Sequence, residues 1–288
     1  MGRVGGEGIL KDCGEIVDEL FDSGKGYQTK TTYRCPNLEG RTGNVAECLK
    51  ALYGQIKRNW SRQGRPEPRS CENWRWKAHL GFDASRGPDE VRLERNIVQA
   101  MGSANAGWVN AVPTSSGLIG AHDKARNIDL VHRCGDSECT FFELKVDQGA
   151  GTPIAAAIQI TCYGALNVFT RLHIQDMTRE VRQSPMLSAG TVHLRVLAPR
   201  CYYHADHIDL SWFEDRLDRG IQDWLGTLRT PRQPALEPCL PKMDFSFLVF
   251  PDTFDVNMTD PKAIKTDPKA IKWAMENRRS VYQSACSH

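Results

Sequence analysis

Apolar positions recur at helical spacing near the start of the chain. Over residues 8–22, Ile9, Cys13, Ile16, Val17, Leu20 and Phe21 fall on one stripe. Over 44–60, Val45, Cys48, Leu49, Leu52, Tyr53 and Ile56 repeat the pattern, with a polar, glycine-containing stretch between the two. No strand pattern stands out in the first 80 residues. From Gly87 the pattern changes. Pro88 suits the first turn of a helix, and DEVRLERNIVQAM puts Val91, Ile97, Val98 and Met101 broadly on one side before Gly102 stops it. Three short strands are predicted at 107–112, 126–132 and 140–146, the last two joined by a hairpin loop in CGDSEC that carries Gly135-Asp136. Thr152 then caps a helix with Pro153 at its first position. That helix, PIAAAIQITCYGALNVFTRL, is apolar nearly all round and so is predicted to be buried. A strand at 191–197, a helix from Ser211 with Glu214 as its capping-box partner, and a strand at 244–250 follow. The order from Gly87 is helix, three strands, helix, strand, helix, strand, which is α/β.

These patterns divide the chain into a helical and irregular region (1–86), a core (87–255) and a polar tail (256–288). The tail reads TDPKAIK twice, at Thr259–Lys265 and Thr266–Lys272. Two such short copies cannot build a solenoid. With Asp at N-cap and Pro at N1 in each, they predict two helical turns on a surface appendage.

Composition narrows the picture without naming a partner. The chain has 288 residues, 40% hydrophobic and 25% charged, which is ordinary for a globular protein and excludes a disordered or coiled-coil chain. Lys and Arg number 37 against 35 Asp and Glu, so any basic footprint must be local. The ten cysteines form no CxxC, the N-terminus lacks the apolar stretch of a signal peptide, and no run of about 18 apolar residues occurs. Reduced thiols and a cytoplasmic location are expected.

The chemistry gathers on the predicted hairpin. Asn127, Asp129 and Val131 share one face of the first strand; Ile128 and Leu130 share the other. On the second strand Phe141, Glu143 and Lys145 share a face, so Glu143 and Lys145 lie about 6.5 Å apart. Pairing through the loop sets Asp129 beside Glu143. Two carboxylates and an ammonium then converge, a set that suits metal-assisted phosphodiester hydrolysis. Mg²⁺ takes carboxylate oxygens plus phosphate and water, and a nearby lysine orients water or stabilises the transition state. A solvated strand face with one Glu–Lys pair would carry the same letters. On the buried helix, Gln159 and Tyr163 stand i and i+4, and a glutamine there needs a partner. Upstream, Glu90 and Glu94 are also i and i+4. Glu90 is explained by the helix dipole, which leaves Glu94 as the better third carboxylate.

Taken together, Asp129, then Glu143-Leu144-Lys145, then Gln159-x-x-x-Tyr163, in the order helix–strand–strand–strand–helix–strand, resemble the PD-(D/E)XK nuclease superfamily. The QxxxY element is similar to its RecB-like branch. The resemblance spans residues 88–198. It implies a restriction-endonuclease-like core (αβββαβ), a mixed sheet flanked by helices with an N-terminal helical extension. It further implies Mg²⁺- or Mn²⁺-dependent cleavage of DNA, in a bacterial defence or repair setting. Asp129 and Glu143 would be metal ligands, Lys145 the catalytic lysine and Glu94 the helix acid. Gln159 and Tyr163 would orient the site or contact the backbone of the nucleic acid. Ile128 departs from the family's proline, and the cysteines lack the spacing of iron–sulfur nucleases in this branch. The same fold could instead serve as a catalytically silent nucleic-acid-binding or assembly module, and the same carboxylates could serve another phosphate ester.

Residues 57–77 add a local basic segment. Lys57, Arg58, Arg62, Arg65, Arg69, Arg75 and Lys77 are interleaved with Trp60, Trp74 and Trp76, a composition that can track phosphates and stack bases. The same tryptophans could equally dock on the core. His204, Asp206, His207 and Asp209 could ligate a metal but sit where a loop before a helix is expected. Cys134 and Cys139 read as two thiols. No GxxxxGK[ST] occurs, so no ATP motor is encoded.

Overall fold

The computed structural model describes residues 8–21, 42–62, 71–80, 88–119, 126–146, 151–203, 209–229, 239–254 and 267–282. Six helices carry the architecture: α1 (Cys13–Leu20), α2 (Val45–Arg62), α3 (Asp89–Ala100), α4 (Pro153–Leu172), α5 (Ser211–Leu228) and α6 (Pro268–Glu276). The strands are β1 (Trp108–Pro113), β2 (Asn127–Cys134), β3 (Glu138–Leu144), β4 (Thr191–Ala198), β5 (Lys242–Val249) and β6 (Arg279–Ser280). They form one open sheet in the order β1-β2-β3-β4-β5-β6. The β1–β2, β2–β3 and β5–β6 pairs are antiparallel; β3–β4 and β4–β5 are parallel. The parallel pairs follow from the crossovers through α4 and α5, because a parallel return needs a long connection. The chain is therefore α/β, a mixed sheet flanked by helices.

One face of the sheet carries the larger apolar cluster, which takes in α1, α2, α4 and α5. The other carries a smaller cluster in which Leu93, Ile97 and Val98 of α3 meet Ile271, Ala274 and Met275 of α6. Two expectations change here. The second TDPKAIK copy opens α6, with Asp267 accepting from Lys269 N and Pro268 at the first turn, yet α6 is core rather than surface appendage. Its Ile271 is what the repeat contributes to that core. The first copy lies outside the described residues. The N-terminal helices, likewise, share the larger cluster with the sheet instead of standing apart from it.

Local chemistry explains most of the elements. Thr152 Oγ1 accepts from Ala155 N at the start of α4. Gly164 lets that helix lie close on the sheet: a Cβ there would stand 2.9 Å from Leu194 Cδ1 and 3.0 Å from Met243 Sδ. Helix α1 is shorter than its apolar stripe because Asp12, with φ 64°, breaks the helical path before it. The predicted capping box at Ser211 does not form. Asp209 accepts from Ser211 N, while Glu214 turns to the sheet. There Glu214 Oε2 accepts from Phe247 N at 2.6 Å, Asp218 Oδ1 accepts from Phe245 N at 2.8 Å, and Gln222 donates to Met243 O. Side chains one turn apart on α5 thus occupy the backbone groups of β5 that the two-residue β6 leaves unpaired.

At β1 the alternation breaks. Ala111 has φ 46°, a left-handed conformation that costs an L-residue about 1–2 kcal/mol. Asn110 and Leu130 pair on one side of this kink, Val112 and Ile128 on the other. Ile128 consequently joins the larger cluster and Leu130 the smaller, so the two do not share a face as strict alternation predicts. The segment 74–79 runs along β1: Trp74 N donates to Pro113 O (2.7 Å), Arg75 to Ala111 O, and His79 N to Asn110 Oδ1 (2.7 Å).

Candidate active site

The hairpin β2–β3 closes through Gly135, Asp136 and Ser137, with φ 67° at Gly135. Leu130 and Phe142 are the last pair of this ladder, and Asp129 and Glu143 are the next residues of the two strands. Asp129 Oδ2 accepts from the backbone N–H of Leu144 at 2.8 Å, which fixes its carboxylate at the end of the hairpin. Strand β3 ends at Leu144, so Lys145 lies just beyond the strand rather than on its face. Its backbone N–H still donates to Leu197 O on β4. Its side chain folds back over the strand end. Nζ donates to Glu143 Oε1 (2.7 Å) and Leu144 O (2.9 Å), and it pairs with Glu90 Oε1 at 3.4 Å. Glu143 and Lys145 are 1% and 2% exposed.

Helices on both faces complete the site. From α4, Gln159 Nε2 donates to Glu143 Oε2 (2.9 Å) and to Tyr163 Oη (3.3 Å), so the half-buried glutamine has the partner its surroundings demand. From α3, Glu94 is buried and accepts from Asn110 Nδ2 at 2.7 Å. Asn110 is itself held by the backbone of His79, to whose carbonyl it also donates. The six residues Asp129, Glu143, Lys145, Glu94, Gln159 and Tyr163 are therefore assembled at one end of the sheet. Two more belong with them. Glu90 contacts Lys145, although its place in the first helical turn explained it away. Asn110 had one legible signal, an amide in an otherwise apolar strand, where asparagine is disfavoured.

Three carboxylates, Glu143, Asp129 and Glu90, act on one ammonium, and Glu94 adds its charge beside Asp129 and Glu143. Burial and then repulsion from Asp129 push both Glu94 and Glu143 up to about 8. Burial raises Asp129 and Glu90 as well, although Lys145 opposes this in both. Burial alone would lower Lys145, but Glu143, Asp129 and Glu90 outweigh it, so the ammonium stays charged. Tyr163 is raised by burial and by Glu143, and it stays a neutral phenol. The cluster holds protons in the neutral range because its carboxyls are buried first and crowded by one another second, with one lysine to oppose both.

Matched against protein-family models, curated proteins and solved structures, the chain matches none. The functional reading rests on this geometry. The donor set suits a hard divalent cation in kind. Among the described residues, Asp129 Oδ1 and Glu94 Oε2 lie outside the hydrogen bonds of their carboxylates. Glu143 has both oxygens occupied, by Lys145 and Gln159, and no group of three His, Cys, Asp or Glu side chains among the described residues closes on a single point.

The basic segment divides. Trp60 is 4% exposed and packs on Phe169 and His173; Trp74 is 1% exposed and donates to Thr170 Oγ1. Neither can stack a base without leaving the core, so both are packing residues. Trp76 is half-buried against the larger cluster. Lys57 lies over the Tyr53 ring, Arg58 donates to Gln55 Oε1, and Arg75 pairs with Glu72. Lys77 is exposed. Arg65, Arg69 and the Arg62 side chain lie outside the described residues, as do His204, Asp206 and His207. Asp209 serves only the backbone of Ser211. Cys134 and Cys139 are free thiols, the second buried. One described helix, α4, is long and apolar enough to cross a membrane, and here it is mostly buried against the face of the sheet.

Proposed function

We propose that the chain is a cytoplasmic metal-dependent nuclease that hydrolyses phosphodiester bonds of DNA, in a defence or repair setting, on a restriction-endonuclease-like version of its mixed sheet. The observation that supports this reading is the gathering of Glu90, Asp129 and Glu143 about Lys145, with Glu94 beside Asp129 and Glu143, more carboxyl groups than one ammonium can neutralise.

In this reading Asp129, Glu94 and Glu143 hold Mg²⁺ or Mn²⁺. Such an ion, when bound, lowers the pKa of its water and offsets charge on the phosphate. The chain's own residues do the rest. Leu144 N–H orients Asp129, Asn110 orients Glu94, and Gln159 orients Glu143. Lys145, held charged by its acids, is a donor toward charge developing on the phosphate and cannot act as the base. Glu94, raised to about 8 in the metal-free site, would have to give up its proton for a cation to bind. Asn110 ties Glu94 to the backbone of His79, so the end of the 74–79 segment borders the acids.

A second reading, a catalytically silent nucleic-acid-binding or assembly module, is favoured by the full occupation of Glu143's oxygens. Linear, circular and single-stranded DNA, incubated with Mg²⁺ or Mn²⁺ and then with EDTA, separate the two. The nuclease reading expects divalent-dependent degradation that EDTA stops and that Glu143→Gln lacks. Binding without degradation of any substrate would replace it with the silent module.

A further inference from the structure

Strands β1 and β2 keep one register on both sides of a single gap. Trp108, Val109 and Asn110 pair with His132, Val131 and Leu130, and Val112 and Pro113 pair with Ile128 and Asn127. That register sets Ala111 opposite Asp129, and there the ladder forms no pair. On the other side of β2 the ladder with β3 stops at Leu130 and Phe142, so Asp129 has no strand partner there either. Every other residue of β2 pairs with at least one neighbouring strand. Ala111 has φ 46°, which an extended ladder does not accommodate and which L-residues rarely adopt.

The gap places two acids. Asp129 Oδ2 accepts from Leu144 N at 2.8 Å, a donor that a continued ladder would give to the backbone of β2. The next donor along, Lys145 N, points the other way, to Leu197 O on β4. Immediately before the kink, Asn110 Nδ2 donates to Glu94 Oε1 at 2.7 Å. Each acid keeps one oxygen, Asp129 Oδ1 and Glu94 Oε2, outside those hydrogen bonds. The segment 74–79 holds the kink from outside. Trp74 N donates to Pro113 O and His79 N to Asn110 Oδ1, both at 2.7 Å, while Arg75 Nη2 donates to Ala111 O at 3.2 Å. Arg75 thus occupies the carbonyl of the strained residue itself. Strained backbone that its surroundings hold in place gathers where a site needs the geometry.

We propose that Ala111 is a positioning residue of the acid site: its left-handed backbone, held by Arg75, sets Asp129 and Glu94 to share one divalent cation. This rests on the cation reading of the acids and adds to it the backbone device that brings two of them together. A straight β1 would pair Ala111 with Asp129 and return that acid to the ladder.

The test uses Mn²⁺ alone with the full chain, its uptake read from the signal of free Mn²⁺ in electron paramagnetic resonance and the fold from circular dichroism. Ala111→Val puts a branched side chain, at a half-buried position, where the left-handed backbone is least tolerated. Mn²⁺ affinity falls by about 10- to 100-fold, as loss of an outer-shell support does. Ala111→Gly, the conservative variant, takes the left-handed conformation without strain and restores the affinity. Arg75→Ala, which strips the donor from Ala111 O, lowers it in the same direction. A folded Ala111→Val variant that takes up Mn²⁺ as the unmodified chain does overturns the proposal. So does an Ala111→Gly variant as weak as Ala111→Val, because the methyl group and not the backbone would then matter. If Ala111→Val does not fold, Arg75→Ala decides, and undiminished affinity there overturns the proposal. Uptake by the unmodified chain that no variant changes removes this proposal alone. An unmodified chain that takes up no Mn²⁺ ends the cation reading, and the proposal falls with it.

Discussion

Lys145 Nζ sits 2.7 Å from Glu143 Oε1 across a single intervening residue, with both side chains withdrawn from water. Two charges so placed do not simply stabilise the fold, because each has lost its hydration. What they do is set how the site responds to protons, cations and mutation.

Lys145→Ala removes the only ammonium that faces Glu143, Asp129 and Glu90 among the described residues. Breaking a buried pair costs about 3–5 kcal/mol. Glu143, already raised to about 8 and raised further once Lys145 no longer lowers it, can escape by taking a proton, so the cost grows as pH rises. Urea unfolding at about pH 6 and pH 9 checks this: the loss is small at the lower pH and large at the higher. Equal losses would show that Glu143 does not titrate in response.

Asp129→Asn keeps an acceptor for Leu144 N–H and removes one negative charge from beside Glu94 and Glu143. The metal-free chain should melt at the same temperature or higher, since a repulsion is gone. Stabilisation by Mg²⁺ should vanish with it. Asp129→Ala is a harsher change, because it also strands the Leu144 N–H. A variant that melts lower than the parent while retaining its Mg²⁺ response would remove Asp129 from the cation site.

The raised acids make stability depend on pH with a definite sign. Between the ordinary carboxylate range and about 8, the folded chain holds protons at Glu94 and Glu143 that the unfolded chain has released. Stability of the metal-free protein therefore falls as pH rises through that window. Glu94→Gln should flatten the fall. Added Mg²⁺ must displace those protons, so its stabilising effect should grow with pH. Thermal melts from pH 5 to pH 9, with EDTA or with Mg²⁺, read both trends.

Trp74→Ala should cost about 3–5 kcal/mol, as truncation of a buried aromatic does, and it also frees Thr170 from its indole donor. Lys77→Ala, at an exposed position, should leave the melt unchanged. If Lys77 meets a phosphate, the slope of log affinity against log salt falls by about 0.9 for duplex DNA. An unchanged slope would take it out of the contact surface.

Glu214→Leu frees the Phe247 N–H at the edge of β5. A stranded backbone donor costs about 1–3 kcal/mol, and an open sheet edge invites pairing with another chain. Lower urea midpoints and faster aggregation on heating are expected. Glu214→Gln, which keeps an acceptor oxygen, should restore most of the loss.

Local pattern was enough for much of the molecule. Apolar periodicity located α2, α3, α4 and strands β1 to β5, because burial of one stripe or face repeats along the chain; β6 fell in the stretch read as a polar tail. Thr152-Pro153 and Gly102 marked helix ends because their backbone preferences are intrinsic. Alternation across a hairpin brought Asp129 beside Glu143, and i,i+4 spacing joined Gln159 to Tyr163, because both are rules of one or two elements. What failed depended on chain that is distant in sequence. The kink at Ala111 sent Ile128 and Leu130 to opposite faces. Glu214 left its helix cap for an open strand edge formed by residues thirty positions later. Trp60 and Trp74 were base-stacking candidates until α4 buried them. Glu90 and Asn110 entered the site only because the start of α3 and the middle of β1 meet the end of β3. Charge, burial and hydrogen-bond reach are properties of that convergence, and no spacing along the chain encodes them.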